Sequence, residues 1–165
     1  MTKATGATYA VHFRRRREGK TDYATRLALL KSGKPRMTIR KTNKYIIVQF
    51  TKTGAQGDEG ITTVTSKALT KYGFDGKCNT PSAYLTGMLA AKKASKKGVT
   101  NFVADLGLHT ASQGSLLFAA VKGATDAGLK TNFEESKMPN ADRISGKHLN
   151  LTDKFSAAKQ KIESE

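Results

Sequence analysis

The stretch FRRRREGKTDY, Phe13 to Tyr23, sets the strongest limit on what this chain can fold into. Four arginines stand in a row, Arg14 to Arg17, with Glu18 as the only nearby acid and Lys20 close behind. Like charges this dense cannot be buried unpaired. Residues 1–20 show neither helical nor strand periodicity. They are therefore expected to form an extended arm, with a reach of roughly 60–70 Å if fully stretched. The folded part must be built from residue 21 onward.

The charge is lopsided along the chain. Residues 1–44 carry thirteen Lys and Arg against two acids, Glu18 and Asp22, whereas the whole 165-residue chain has a net charge of +16. Such an excess repels itself and calls for an anionic partner. Nucleic acid is the first candidate and an acidic membrane surface the second. No apolar run approaches the length of about 18 residues needed for a span. The start, MTKATGATYAVHF, lacks the apolar stretch of a secretory signal. The arm also lacks the bulky apolar face of a membrane-surface helix. The lone Cys78 excludes an intrachain disulfide and fits a reducing compartment. Hydrophobic content of 38% allows one modest core.

The coarse pattern is α/β. Tyr23, Leu27 and Leu30 fall on one helical face, with Thr21 or Asp22 as cap and Gly33 and Pro35 as stop signals. Met37 and Ile39 alternate with Arg36, Thr38 and Arg40 in a half-buried strand, and KTNK, Lys41 to Lys44, reads as a turn. Strands are expected over Tyr45–Phe50 and Ile61–Ser66, separated by a loose turn at Gly54, Gly57 and Gly60. A helix with Thr80 as cap and Pro81 at its first position follows, then a buried strand over Asn101–Leu108 and a helix over Ser115–Gly128. The expected fold is a small mixed sheet, an antiparallel meander followed by a β-α-β-α unit, with packed helices. The expected division is an arm over 1–20, a globular domain over 21–130 and a C-terminal tail over 131–165 with little regular structure. Asp153 to Glu165 is read as a short helix or a frayed end.

Catalytic signals are weak. His12, His109 and His148 lie far apart in sequence, and no His or Cys pair has metal-ligand spacing. No phosphate-binding glycine motif occurs. Asp105 lies in a strand, as some nuclease carboxylates do, but lacks the further acids that would hold a metal ion. No metal, cofactor or catalytic residue is expected. The basic residues carry more weight. Arg36 and Arg40 should stand on the polar face of their strand, a row of guanidinium groups suited to phosphate and base contacts. Tyr9, Tyr23 and Tyr45 lie among these charges as candidate stacking platforms. The loop GLHTASQGS, Gly107 to Ser115, joins a strand end to a helix start, where backbone N–H groups can meet phosphate; Ser112 or Gln113 near the cap of an ordinary turn is the other reading. Together these features indicate nucleic-acid binding, with DNA and RNA both open.

The blocks RRRREGKTDYATRLALLKSGKPRMTIRKTNKYIIVQF, PSAYLTGMLAAKKA, DLGLHTASQGSLLFAAVKGATDAGL and PNADRISGKHL, in that order, resemble the archaeal and eukaryotic-type members of large-subunit ribosomal protein family eighteen over about residues 6–150. The resemblance implies a small α/β fold and a non-enzymatic protein that attaches 5S ribosomal RNA to the large subunit at the central protuberance. It also implies contacts with large-subunit ribosomal RNA and neighbouring large-subunit ribosomal proteins, and a cytoplasmic location in the subunit. On that basis Arg14, Arg15, Arg16, Arg17 and Lys20 should follow RNA backbone, with Thr21, Tyr23 and Arg26 beside them. The family hairpin pattern RKSN appears here as RKTN, Arg40, Lys41, Thr42 and Asn43, followed by Lys44. Thr42 keeps a hydroxyl for a phosphate or 2′-OH. The loop from His109 through Ser112 to Ser115 falls where the family also approaches RNA. Some archaeal relatives run longer at the C-terminus than Glu165, and the resemblance assigns no residue here to contacts made by such an extension.

Overall fold

A four-stranded sheet in the order β3-β2-β1-β4 organises the molecule. The computed structural model describes residues 6–164, so residues 1–5 of the expected arm lie outside the description. Strand β1, Arg36–Lys41, pairs antiparallel with β2, Ile46–Gly54, placing Met37 opposite Phe50 and Ile39 opposite Val48. These four side chains are buried on one face, as the alternation requires. Strand β3, Gly57–Thr65, pairs antiparallel with β2, with a register irregularity at Phe50/Thr51. The expected loose turn is a tight one: both strands run on to pair Gly54 with Gly57. Glycines that look like punctuation in sequence are here accommodated inside a long exposed hairpin. The short strand β4, Val103–Asp105, lies parallel to β1 and closes the other edge. It covers three residues rather than the expected Asn101–Leu108, because the chain turns away at Gly107 with φ 64°.

The helix α3, Thr80–Ser95, packs across the core face of the sheet and is buried around most of its circumference, twelve of its sixteen residues being inaccessible. It is a central helix rather than an amphipathic surface one. Its cap is Asn79, whose side chain accepts from the Ser82 N–H at 3.0 Å, so Thr80 and Pro81 lie one position further inside than expected. Helix α4, Leu116–Asp126, is capped by Ser115 through the Leu117 N–H. The two helices touch backbone to backbone. A Cβ on Gly87 would stand 2.1 Å from the Ala120 carbonyl oxygen, and one on Gly123 would stand 2.1 Å from that of Tyr84. Reciprocal small residues therefore set the spacing between α3 and α4.

The expectation of a largely irregular C-terminal tail is corrected. Two short turns of helix, including α5 at Ala141–Ile144, lead to α6, Thr152–Glu163. Phe155, Ala158 and Ile162 of α6 are buried at helical spacing. Phe155 packs on the Tyr84 ring at 5.6 Å, and the Tyr84 hydroxyl donates to Asp126 Oδ2 at 2.7 Å. Burial, reinforced by that carboxylate, pushes the Tyr84 hydroxyl well above its ordinary value. Lys92 Nζ donates to the Glu163 carbonyl, tying the end of α6 back to α3. Three apolar contacts spread over two turns suffice to dock a helix that is otherwise polar.

Replacing Gly87 by Ala should separate α3 from α4 and destabilise the protein by about 1–3 kcal/mol, despite the better helix propensity of Ala. Urea denaturation would measure this; a variant as stable as the parent would show that the helices are not in backbone contact.

Candidate nucleic-acid interface

The arm is not extended throughout. Arg14–Arg17 forms one helical turn, α1, with Phe13 before it and Glu18 after it. Glu18 accepts from Arg14 Nη1 at 3.0 Å and pairs with Lys20 at 2.9 Å. Glu18 thus offsets two cations and allows the turn to close. Arg16 and Arg17 remain exposed, and Arg15 Nε donates to Thr21 Oγ1 at 2.8 Å. Phe13 lies 5.2 Å from the Tyr23 ring, which joins the arm to the next helix.

That helix, α2, covers Tyr23–Lys31. Its cap is Asp22, which accepts from the Ala24 and Thr25 N–H groups and, at 2.6 Å, from the Thr25 hydroxyl. The Thr25 hydroxyl, with the Thr25 N–H next, outweighs burial and holds the Asp22 carboxyl below its ordinary range. The expected Tyr23, Leu27 and Leu30 stripe is only partly inward: Tyr23 and Leu30 are half-buried, Leu27 is 55% exposed, and Arg26 and Leu29 face the body instead.

Arg26 turns inward to a carboxylate. Its Nη2 donates to Asp58 Oδ2 at 2.6 Å, and the same oxygen stands 2.6 Å from Arg36 Nη2, close enough to pair although not aligned as a hydrogen bond. Arg36 Nη1 donates to Asp105 Oδ2 at 3.1 Å, while Asp105 Oδ1 accepts from Arg40 Nη2 at 3.0 Å and from the Gly107 N–H at 2.9 Å. The result is a line of alternating charge, Arg26–Asp58–Arg36–Asp105–Arg40, running from α2 and β3 through β1 to β4.

This line corrects the row of guanidinium groups expected on the sheet. Arg36 is only 2% exposed and lies between two carboxylates, so it cannot reach a ligand. Arg40 is partly exposed, but its fork also faces inward, with Nη1 donating to the Ile39 and Asp105 carbonyls at 2.8 Å each. Asp105, considered as a nuclease carboxylate, is occupied by the two arginines. Among the described residues, no group of three or more His, Cys, Asp or Glu could hold a metal ion.

The hairpin at the end of β1 is solvent-exposed, with Lys41, Asn43 and Lys44 all outward. Thr42 shapes it: its hydroxyl donates to the Tyr45 carbonyl and accepts from the Tyr45 N–H, both at 3.0 Å. The hydroxyl hydrogen is used within the turn, so what remains is a lone pair, which an RNA 2′-OH can reach as a donor and a phosphate cannot use. Beside the hairpin, a depression of about 430 Å³ brings Lys41 together with His109, Ser112 and Ser115. Ser115 there serves as the α4 cap, in the place expected for Ser112 or Gln113.

A larger cleft of about 450 Å³ lies between α2 and the end of β4. It gathers Arg15, Lys20, Thr21, Tyr23, Arg26 and Arg40 of the expected site residues. Gly107 and Leu108, from the start of the loop read as a candidate phosphate contact, also line it, together with Asp22 and Leu29, which were not singled out from sequence as contacts. Only the parity of β1, which puts Arg40 and Arg36 on the face away from Met37, hints at where the cleft falls.

The family of ribosomal large subunit proteins 60S L5 and 50S L18 matches residues 7–104, a span containing the arm, the hairpin and four of the five members of the charge line. This chain belongs to that family. Among relatives, the large ribosomal subunit protein uL18 of Korarchaeum cryptofilum is 52% identical over 147 residues, covering 88% of this chain and 75% of the relative. That of Methanoregula boonei is 48% identical over the same share of this chain and 84% of its own. That of Methanocorpusculum labreanum is 44% identical over 98% of this chain and 94% of its own. The family is one of structural ribosomal proteins rather than enzymes, in agreement with the weak catalytic signals in the sequence.

Asp58 ties this surface to pH. Burial alone would raise its pKa, but Arg36 and Arg26 outweigh burial and hold it below the ordinary value of 3.8. A carboxylate lowered in the folded state stabilises above its unfolded pKa, and that stability is lost as pH falls through the folded value. Asp58→Asn should cost about 2 kcal/mol at pH 7. The gap between variant and parent should close as the pH drops below about 4. Denaturation curves between pH 7 and pH 2 would check this; a gap that stayed constant with pH would mean that Asp58 is not ionically engaged.

Proposed function

We propose that this protein binds 5S ribosomal RNA and attaches it to the large ribosomal subunit at the central protuberance, with further contacts to large-subunit ribosomal RNA and neighbouring ribosomal proteins. The observation that carries the reading is how the charge is divided. The sheet pairs Arg26, Arg36 and Arg40 internally with Asp58 and Asp105, yet Arg16, Arg17, Lys41 and Lys44 stay exposed on the arm and hairpin. A fold that neutralises some arginines with its own carboxylates and leaves others in solvent keeps the second group for an external polyanion.

The mechanism is scaffolding. Arg14 to Arg17 and Lys20 run along phosphates and release counterions. A four-residue helix with no buried side chain is marginal alone, so the arm takes its final form on the RNA. Lys41, Asn43 and Lys44 on the hairpin, together with His109 and Ser112, recognise the folded shape of the RNA, where sugar hydroxyls and unpaired bases are accessible. Thr42 and Ser115 hold the two contacting segments in place, and Tyr23 braces the arm. Arg36 acts inside the protein.

Filter binding to a 5S ribosomal RNA transcript, with duplex DNA as competitor, tests this. With 8–10 phosphates engaged, log K against log salt should have a slope of about −6 to −9. Changing Arg14 to Arg17 together to Ala should make that slope shallower by roughly 3 while leaving the circular dichroism spectrum intact. An unchanged slope would remove the arm from the interface, and equal affinity for duplex DNA would replace the ribosomal reading with general nucleic-acid binding.

A further inference from the structure

The cleft between α2 and the end of β4 has properties that phosphate contact alone does not account for. Gly107 lies directly against Arg40. A Cβ built on Gly107 would stand 2.8 Å from Arg40 Cζ, 3.0 Å from Nη1 and 3.1 Å from Nη2. Three nearly equal distances mean that the guanidinium turns its flat face, not its edge, toward the glycine. Gly107 also has φ 64°, so both its conformation and the absent side chain permit this approach. Within its plane the group is held by the Ile39 and Asp105 carbonyls and the Asp105 carboxylate. Both terminal nitrogens are therefore already engaged inside the protein, which leaves little of the fork for a phosphate. Even so, the Arg40 side chain is 41% exposed. Arg40 also lines the cleft.

The other walls agree with a planar ligand. Leu108, 55% exposed, and Leu29 put apolar surface into the most basic part of the molecule. Asp22, an exposed carboxylate, opposes a phosphate but can accept from base amino or imino groups. Arg15 and Lys20 stand on the arm side of the same cleft, where a backbone would pass.

We propose that this cleft is a nucleobase site: one base of the bound RNA, turned out of its stack, lies on the outer face of the Arg40 guanidinium with Leu108 beside it. Arginine planes are a recurrent support for unstacked bases in RNA recognition. Gly107 and Asp105 are then positioning residues that hold the platform flat. The inference rests on the RNA-binding role proposed above and names the chemical group received by one part of that surface.

The test uses the full chain and a 5S ribosomal RNA transcript. Arg40→Lys keeps the charge and removes the plane. Affinity at fixed salt should fall roughly tenfold, as for loss of one stacked base. The salt slope should not change, because no phosphate contact is lost. Leu108→Ala alters an exposed side chain with little risk to folding and should also weaken binding, about threefold, at constant slope. Wild-type affinity in Leu108→Ala would overturn the proposal, as would a loss in Arg40→Lys accompanied by a slope shallower by nearly one unit, the mark of a phosphate contact. If Arg40→Lys fails to fold by circular dichroism, Leu108→Ala carries the decision. If the parent protein does not prefer 5S ribosomal RNA, the function proposed above falls separately, and the same two variants are compared on the RNA it does bind. Binding to no RNA at all overturns both.

Discussion

The buried guanidinium of Arg36 is the constraint on which the binding side of this protein depends. A cation that is 2% exposed is strongly destabilising without close anions, and two are supplied from opposite directions, Asp58 on β3 and Asp105 on β4. Asp58 and Asp105 lie on opposite sides of β1, across the sheet from one another. Their shared attachment to Arg36 fixes the far edge strand, the near edge strand and the central strand relative to each other. Asp58 then reaches Arg26 of α2, and Asp105 reaches Arg40 at the end of β1. The position of the first helix, and with it the root of the arm, is thus set by electrostatics more than by apolar packing. No residue of α2 is buried, in contrast to α3 on the opposite face.

The two faces of the sheet accordingly use different physics. One is a dry core in which glycine contacts bring α3 and α4 to backbone distance. The other carries ionic groups, half in solvent, and is open to a charged partner. A purely apolar anchor for α2 would hold it as well, but would not place the Arg40 plane beside a cleft. The carboxylates on this side do not weaken a polyanion interface, because they neutralise arginines that are already internal and leave the arm and hairpin cations in excess.

Much of the fold was legible in the sequence. Alternation at Met37 and Ile39 gave β1 its inward face, and the Asp22 cap and the antiparallel meander followed from local chemistry that the structure retains. Legibility failed wherever the decisive partner was distant along the chain. Arg36 resembled its neighbour Arg40 in sequence, yet one is enclosed and the other half open, because Asp58 and Asp105 are brought in by strand pairing that no local pattern encodes. Helix α6 stayed undecided between a short helix and a frayed end for a similar reason. Phe155, Ala158 and Ile162 are a thin stripe on a polar helix, and they become meaningful only against the aromatic ring of Tyr84. The arm reads as extended because residues 1–20 show no helical or strand periodicity; Glu18 at i+4 from Arg14 is enough to close one turn.

The docking of α6 on Tyr84 also bears on the order in which the molecule can assemble. Synthesis proceeds from the N-terminus, and domains mature as the chain emerges. The arginine cluster at residues 14–17 emerges early, whereas the surface of α3 around Tyr84 stays uncovered until Phe155 and Ile162 arrive. The chain therefore passes through a period in which its most basic end is out and its hydrophobic body is still unfinished. An RNA that captures the arm in that interval also confines the unfinished body near its final position, so ligand capture and completion of the core become overlapping events rather than successive ones.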